Sequence, residues 1–302
     1  MMITIGNATA AFYSRATGQM ADLRAAAERM QGQIATGERL TRASDDPVAA
    51  ARLRSLGRAD RLAAVDKENA DWAASDLTLA GEALEQIAGD LIRVRALAVQ
   101  AGNGTLSAEA RQAVGVEIAQ LRSGIIAAAN ARGVLGNPLF AGRGGDAPYA
   151  LSATGEAVYT GTADGGELAL GEGQSVQRGV TGPQFMIFAS GGAQVDLPGF
   201  LKTLSDTLQT GAPSDSATLT ELDDALATLT RTQTILGARL AWVETVQDRQ
   251  IVMEEARAEA ATDAGGVDLA TTIARLQETL TTLEASQASF ARLSSLTLFN
   301  SI

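Results

Sequence analysis

From residue 269 onward, apolar side chains fall in a fixed rhythm. Leu269, Ile273, Leu276, Leu280, Leu283, Gln287 and Phe290 are spaced 4, 3, 4, 3, 4, 3, the a/d seam of a helix over three heptads. Near the other end, Ala16, Met20, Leu23, Ala27, Met30 and Ile34 form a weaker stripe of the same kind. Between them lie three more stripes: Leu77, Leu84, Ile87, Leu91, Val94 and Ala98; Val114, Ile118, Leu121, Ile125 and Ala128; and Leu219, Leu222, Leu226, Leu229, Gln233, Leu236, Leu240 and Val243. The middle three read as ordinary buried helix faces that pack on one another. The outer two run to within a few residues of the two ends of the sequence. Helix ends fray unless something holds them, so these stripes are expected to pair with each other or with other subunits.

The first stripe is interrupted at residues 40–53, LTRASDDPVAAARL. Gly37 follows Thr36 and suits the left-handed residue that closes a helix. Pro47 suits the first position of the next helix, where its fixed φ is already helical and its missing N–H is not needed. Asp46 is placed to cap the free N–H groups of Val48 and Ala49, and Ser44 and Asp45 add local acceptors. The pattern therefore predicts a deliberate break between two helices. A helix over 47–101 would span roughly 80 Å, with Gly57, Gly81 and Gly89 as places where it bends or weakens. It ends at Gly102-Asn103-Gly104, and Ser107 caps a third helix that runs to about Asn130.

From residue 133 to 199 helical rhythm vanishes and glycine becomes frequent. Five short runs read as strands: YALSA, AVYTGT, ELAL, SVQRGV and QFMIFA. Asp164-Gly165, between VYT and ELAL, is a hairpin signal. A short helix follows at about 201–209. GAPSDSATLT is a turn and cap before a long helix over about 216–261, TDAGGVD breaks that helix, and Asp268 caps the last one.

The order is nearly palindromic. The expected fold is mainly α: a long antiparallel α-helical coiled-coil rod built from both chain halves, with a small β-rich domain inserted in the middle. The expected segments are an N-terminal axial helix over 1–40, rod halves over 41–132 and 201–264, the β-rich domain over 133–200, and a C-terminal axial helix over 265–302.

Composition narrows the function. The 302 residues are 46% hydrophobic but only 4% aromatic, which favours helix packing over an aromatic core. The net charge is −11, the wrong sign for a nucleic-acid partner. There is no Cys and no His, so disulfides, thiolate chemistry and the commonest general base and metal ligand are absent. No apolar run is long enough for a membrane-inserted helix, and no basic-then-apolar secretory leader is visible. No phosphate-binding glycine loop, HExxH or GxSxG occurs. Asp45 and Asp46 are accounted for by capping, so neither a metal nor a cofactor is expected, and an enzyme is the weaker reading.

Several stretches resemble the bacterial flagellin family: IATGERLTRASDDPVAAARL (34–53), LAVQAGNGTLSAEAR (97–111), EIAQLRSGIIAAANARG (117–133), LFAG (139–142) and VYTGTADGGELALGEGQSVQRGVTG (158–182). Pro47 after the acidic pair and the ending SFARLSSLTLFNSI resemble the hook–filament junction branch of the family more than its filament subunits. GVLGNPLFAG, at 133–142, departs from the family's text near Asn137 and Pro138. The resemblance implies a structural protein of the flagellum, exported through the flagellar type III apparatus and held by an export chaperone before secretion. It implies a homo-oligomeric ring between hook-associated protein 1 and flagellin. The other readings it leaves open are a flagellin that forms the filament itself and a flagellin-like surface-binding protein.

The assembly interface expected from the stripes comprises Met20, Leu23, Met30, Ile34, Leu269, Ile273, Leu276, Leu280, Leu283, Phe290, Leu298 and Phe299, with Gly37, Asp45, Asp46 and Pro47 as cap and turn. Six buried apolar positions on the last helix would supply on the order of 10–20 kcal/mol gross. Ordering its roughly 30 residues costs a similar amount. Residues 1–40 and 268–302 are accordingly expected to be mobile in a lone subunit and helical on assembly, as an inner layer with residues 47–130 and 216–262 around it and the β-rich domain facing outward.

Overall fold

The structure is a computed structural model. It describes the backbone of residues 3–299 and the side chains of residues 11–293. The chain is mainly α with a small β region in its middle. In order it comprises α1 (Ile3–Thr36), α2 (Pro47–Ala101), α3 (Ala108–Ala129), β1 (Tyr149–Leu151), β2 (Ala157–Tyr159), β3 (Glu167–Gly171), β4 (Gln174–Gln177), α4 (Pro183–Met186), β5 (Ile187–Ser190), β6 (Ala193–Asp196), α5 (Leu197–Gln209), α6 (Ser216–Gly265) and α7 (Leu269–Phe299). It divides into two units, one of residues 1–61 and 253–302, the other of residues 62–252. The division falls within the lengths of α2 and α6.

The unit of residues 62–252 holds the large core. Leu77, Leu84, Ile87, Leu91, Val94 and Ala98 of α2 are all buried, as are Ile118 and Ile125 of α3 and Leu222, Leu229, Leu236 and Val243 of α6. Polar links fix the direction of packing: Arg95 Nε reaches Asp223 Oδ1 at 2.6 Å, and Gln247 Nε2 donates to Asp71 Oδ1 at 2.8 Å. Partner numbers rise on α2 as they fall on α6, so the two helices are antiparallel. Ser107 caps α3 by accepting from Ala110 N at 3.2 Å. Leu197, Leu201, Leu204 and Leu208 bury one face of α5, which packs on α3.

The β region is three separate antiparallel hairpins, β1–β2, β3–β4 and β5–β6. This differs from the sequence expectation in three places. Asp164-Gly165 does not turn a hairpin: β2 pairs with β1 and β3 with β4. The positive φ there falls at Gly166, and Asp164 Oδ1 accepts from Gly166 N at 2.9 Å, so the chain is redirected between hairpins. The two-residue turns are instead Glu172-Gly173 (φ 51 and 77) and Gly191-Gly192 (φ 58 and 84), each with the paired left-handed residues of a type I′ turn. QFM is a helical turn, α4, and only the IFA that follows is strand; β6 carried no run strong enough to read. The hairpins are held to the helices by side chains that meet their backbone carbonyls. Asn69 Nδ2 donates to Ala169 O at 3.1 Å, Gln250 Nε2 to Leu170 O at 2.9 Å, and Arg122 to Pro198 O and Gly155 O at 2.7 and 2.6 Å.

The unit of residues 1–61 and 253–302 is α1 packed on α7, with the first turns of α2 and the last turns of α6. Arg257 Nε meets Asp60 Oδ1 at 2.7 Å across the α2 and α6 segments.

Candidate assembly surface on the terminal helices

α1 and α7 run antiparallel. At one end the Tyr13 and Phe290 rings meet edge to face with centroids 5.2 Å apart. At the other, Glu38 and Gly266 form an antiparallel bridge just beyond the helices. Seven residues on from Tyr13 is Met20, and seven back from Phe290 is Leu283, so the heptads of the two helices come level.

On α1 the covered stripe is Tyr13, Ala16, Met20, Leu23, Ala27, Met30 and Ile34, of which Ala27 is fully buried and the rest half-buried. The structure thus puts Met20, Leu23, Met30 and Ile34 together on the face toward α7. Tyr13 belongs to the same stripe. It sits three residues before Ala16, at the heptad spacing already visible, and the sequence reading passed over it.

α7 does not cover the seam that its sequence presents. The positions shielded from solvent are Thr272, Leu276, Thr279, Leu283, Ser286 and Phe290, spaced 4, 3, 4, 3, 4. Leu276, Leu283 and Phe290 lie in this stripe, with Leu283 only 8% exposed. Leu269, the first residue of α7, is in line with this stripe but 49% exposed; Ile273 and Leu280 lie off it, 42 and 37% exposed. The sequence seam therefore splits in two. One half faces α1, completed by small hydroxyl residues; the other lies open on the neighbouring face. Thr279 and Ser286 are tolerated because their hydroxyls are satisfied within the helix: Thr279 Oγ1 donates to Arg275 O at 2.8 Å and Ser286 Oγ to Thr282 O at 2.7 Å. The side chains of Leu298 and Phe299 lie outside the described residues.

Where the pair meets at Tyr13 and Phe290, a groove of about 380 Å³ opens between the helices. Phe12 and Leu293 line it and are 44 and 45% exposed.

The break after α1 is built by the cap and turn residues. Gly37 has φ +73, and its N–H closes the helix on Gln33 O at 2.9 Å. Asp46 Oδ1 accepts from Ala49 N at 3.0 Å, and its Oδ2 accepts from Arg39 Nη2 at 3.1 Å. The helix N–H groups first, and then the guanidinium, hold the Asp46 carboxyl below the usual range. Asp45 closes the turn rather than the helix. Its Oδ2 accepts from Arg42 N at 2.8 Å and Thr41 Oγ1 at 3.0 Å, which lowers its pKa in turn. Pro47 is the first residue of α2. The sequence reading missed the role of Arg39, whose guanidinium also reaches Ala264 O, far along the chain.

Among the described residues no group of three or more His, Cys, Asp or Glu could hold a metal ion, and no helix is long and apolar enough to cross a membrane. A cavity of about 80 Å³ beside Asp76, Arg143 and Arg178 is polar. Two of its charges are already occupied, Asp76 by Asn137 Nδ2 at 3.1 Å and Arg143 by Asp164 at 2.9 Å.

Helix pairs of this kind, joined through a capped break to a helical body with a β insert, define a class. Residues 8–144 match the bacterial flagellin N-terminal helical region, and the likeness to the flagellin family holds. The chain is also similar to flagellar hook-associated protein 3 of Salmonella typhimurium, 28% identical over 199 residues; the match covers 65% of this chain and 58% of that relative's length. A flagellar hook-associated protein of Vibrio parahaemolyticus has the same fold, with TM-score 0.66 and 21% identity over 74% of this chain and 100% of that one. So does flagellar hook-associated protein 3 of Legionella pneumophila, with TM-score 0.63 and 16% identity over 70% of this chain and 98% of that one.

Proposed function

We propose that this chain is the junction subunit that connects hook to filament in a bacterial flagellum, and that it assembles with copies of itself through α1 and α7. The observation that carries this reading is the divided seam of α7. Ile273 and Leu280 stand 42 and 37% exposed, seven residues apart, while the adjacent stripe is already used by α1. Apolar residues repeated along an exposed helix face mark an association surface. The likeness to flagellar hook-associated protein 3 supports the location of that assembly.

On this reading the copies form a ring, with hook-associated protein 1 on one side and flagellin on the other. The assembly interface has two layers: Met20, Leu23, Met30, Ile34, Leu276, Leu283 and Phe290 hold α1 to α7, and the exposed Leu269, Ile273 and Leu280 meet the neighbouring copy, extended by Leu298 and Phe299. The protein is secreted through the flagellar type III apparatus, and an export chaperone covers the apolar face of α7 beforehand.

Electron microscopy of a strain lacking this chain tests the reading. Intact hooks without filaments, with flagellin released to the medium, are expected. Hooks with missing filaments but no released flagellin would make the chain a filament subunit instead.

A further inference from the structure

Four helix ends meet at the break that the sequence marks with SDDP. They are the end of α1, the start of α2, the end of α6 and the approach to α7. Arg39 N donates to Gly265 O at 2.7 Å and Val267 N to Gly37 O at 3.0 Å, which makes a two-stranded bridge between the residue runs leaving α1 and α6. The Arg39 guanidinium then spans the remaining gap: its Nη2 donates to Ala264 O at 2.9 Å and to Asp46 Oδ2 at 3.1 Å. One cation thus meets a carbonyl at the negative end of α6 and the carboxylate that caps α2. Both contacts suit a positive charge, because helix C-terminal carbonyls lack partners of their own. Gln33 Nε2, from the last turn of α1, donates to Arg39 O at 2.7 Å and holds the arginine backbone in place. The fit is close. A Cβ on Gly266 would lie 2.5 Å from Thr262 O, and one on Gly265 would lie 2.8 Å from Leu53 Cδ1.

We infer that this cluster is a latch, with Arg39 as its positioning residue, that sets the register between α1 and α7. A two-helix seam that repeats every seven residues specifies register weakly where no buried polar pair fixes it, because one heptad presents much the same face as the next. The latch removes that freedom. It joins the runs that lead into the two helices at the Glu38–Gly266 bridge, so Tyr13 is delivered to Phe290 and not one heptad away. This rests on the reading that α1 and α7 form the assembly surface, since register decides which face of α7 stays open for a neighbour.

The chain has no cysteine, so the register can be read by disulfide trapping in the full-length protein. Tyr13→Cys with Phe290→Cys reports the native register, and Tyr13→Cys with Leu283→Cys reports a slip of one heptad. With Arg39 present, the first pair crosslinks and the second does not. Arg39→Ala is expected to lower the ratio of native to slipped crosslink by about fivefold, the loss of a charge-assisted hydrogen bond and a half-exposed ion pair. Arg39→Lys restores most of it, and Asp46→Asn, which keeps a capping oxygen, lowers it less than Arg39→Ala does. An unchanged ratio in Arg39→Ala overturns the latch. Because the crosslink is intramolecular and is read in the monomer, that result leaves the assembly reading standing. If Arg39→Ala shifts the register yet hook and filament still join normally in cells, the latch stands and the assembly reading fails.

Discussion

Two regions of this molecule use the same heptad spacing and reach different ends. In the unit of residues 62–252, the stripe of α2 is buried throughout and those of α3 and α6 are buried or half-buried, because three helices, α5 and the hairpins surround one core. In the unit of residues 1–61 and 253–302, α1 and α7 have mainly each other. Of their described seam residues only Ala27 and Leu283 are fully buried. Spacing decides that a helix has an apolar face; the number of neighbours decides whether that face is finished. A two-helix pair covers one stripe on each member and no more, so α7, which carries a second stripe, is left with a surplus that a single chain does not use.

The largest test of the contrast is a matched truncation. Leu84→Ala, in the closed core, is expected to cost about 3 kcal/mol, since a fully enclosed site collapses poorly around the lost methyls. Leu283→Ala, in the open pair, is expected to cost about 1 kcal/mol or less, because solvent and neighbouring side chains can fill the space. Urea unfolding midpoints compare them. Equal losses would show that the terminal pair is packed as tightly as the core.

Acid should separate the regions next. In the terminal unit Asp45, Asp46 and Asp268 all have lowered pKa values, through backbone and side-chain hydrogen bonds at turns and helix starts. A carboxyl with a lowered folded pKa contributes stability above its unfolded value of 3.8 and loses it as pH falls through the lowered folded value. All three act in that direction. The core unit is mixed. Asp215 and Asp223 are lowered, by hydrogen bonds to Thr218 and Arg95, but burial raises Asp90 and Asp196, and protonating those relieves a cost. Below about pH 4 the cap amides of Ala49 and Thr271 should therefore lose exchange protection before the α2 core amides do. Simultaneous loss would count against the separation.

The smallest effect on the monomer is the sharpest on assembly. Leu280→Asp places a charge on a side chain already 37% exposed, so the isolated chain should change stability by no more than about 0.5 kcal/mol. Association measured by sedimentation should be abolished. A monomer that loses stability as much as Leu283→Ala would show that Leu280 belongs to the intramolecular seam.

Much of this was legible from the residues. Pro47 with Asp46 before it marked a helix start, Gly37 and Ser107 marked an end and a cap, and the alternation of helical and glycine-rich text placed the β region in the middle. The hairpins were less legible. Asp164-Gly165 has the composition of a tight hairpin turn, but which strands pair depends on what lies beside them, and Glu172 takes its left-handed conformation inside a turn that its own type does not announce.

What the sequence determined alone is local: where helices begin and end, which of their faces are apolar, and the flagellin-like text of the break. Those follow from backbone conformation and side-chain spacing within a few residues. Only the tertiary structure decided which half of the α7 stripe is covered, and that Arg39 meets Ala264, 225 residues away in sequence. A heptad seam is wide enough to offer two faces, and the choice between them is made by the helix that arrives to pack against it.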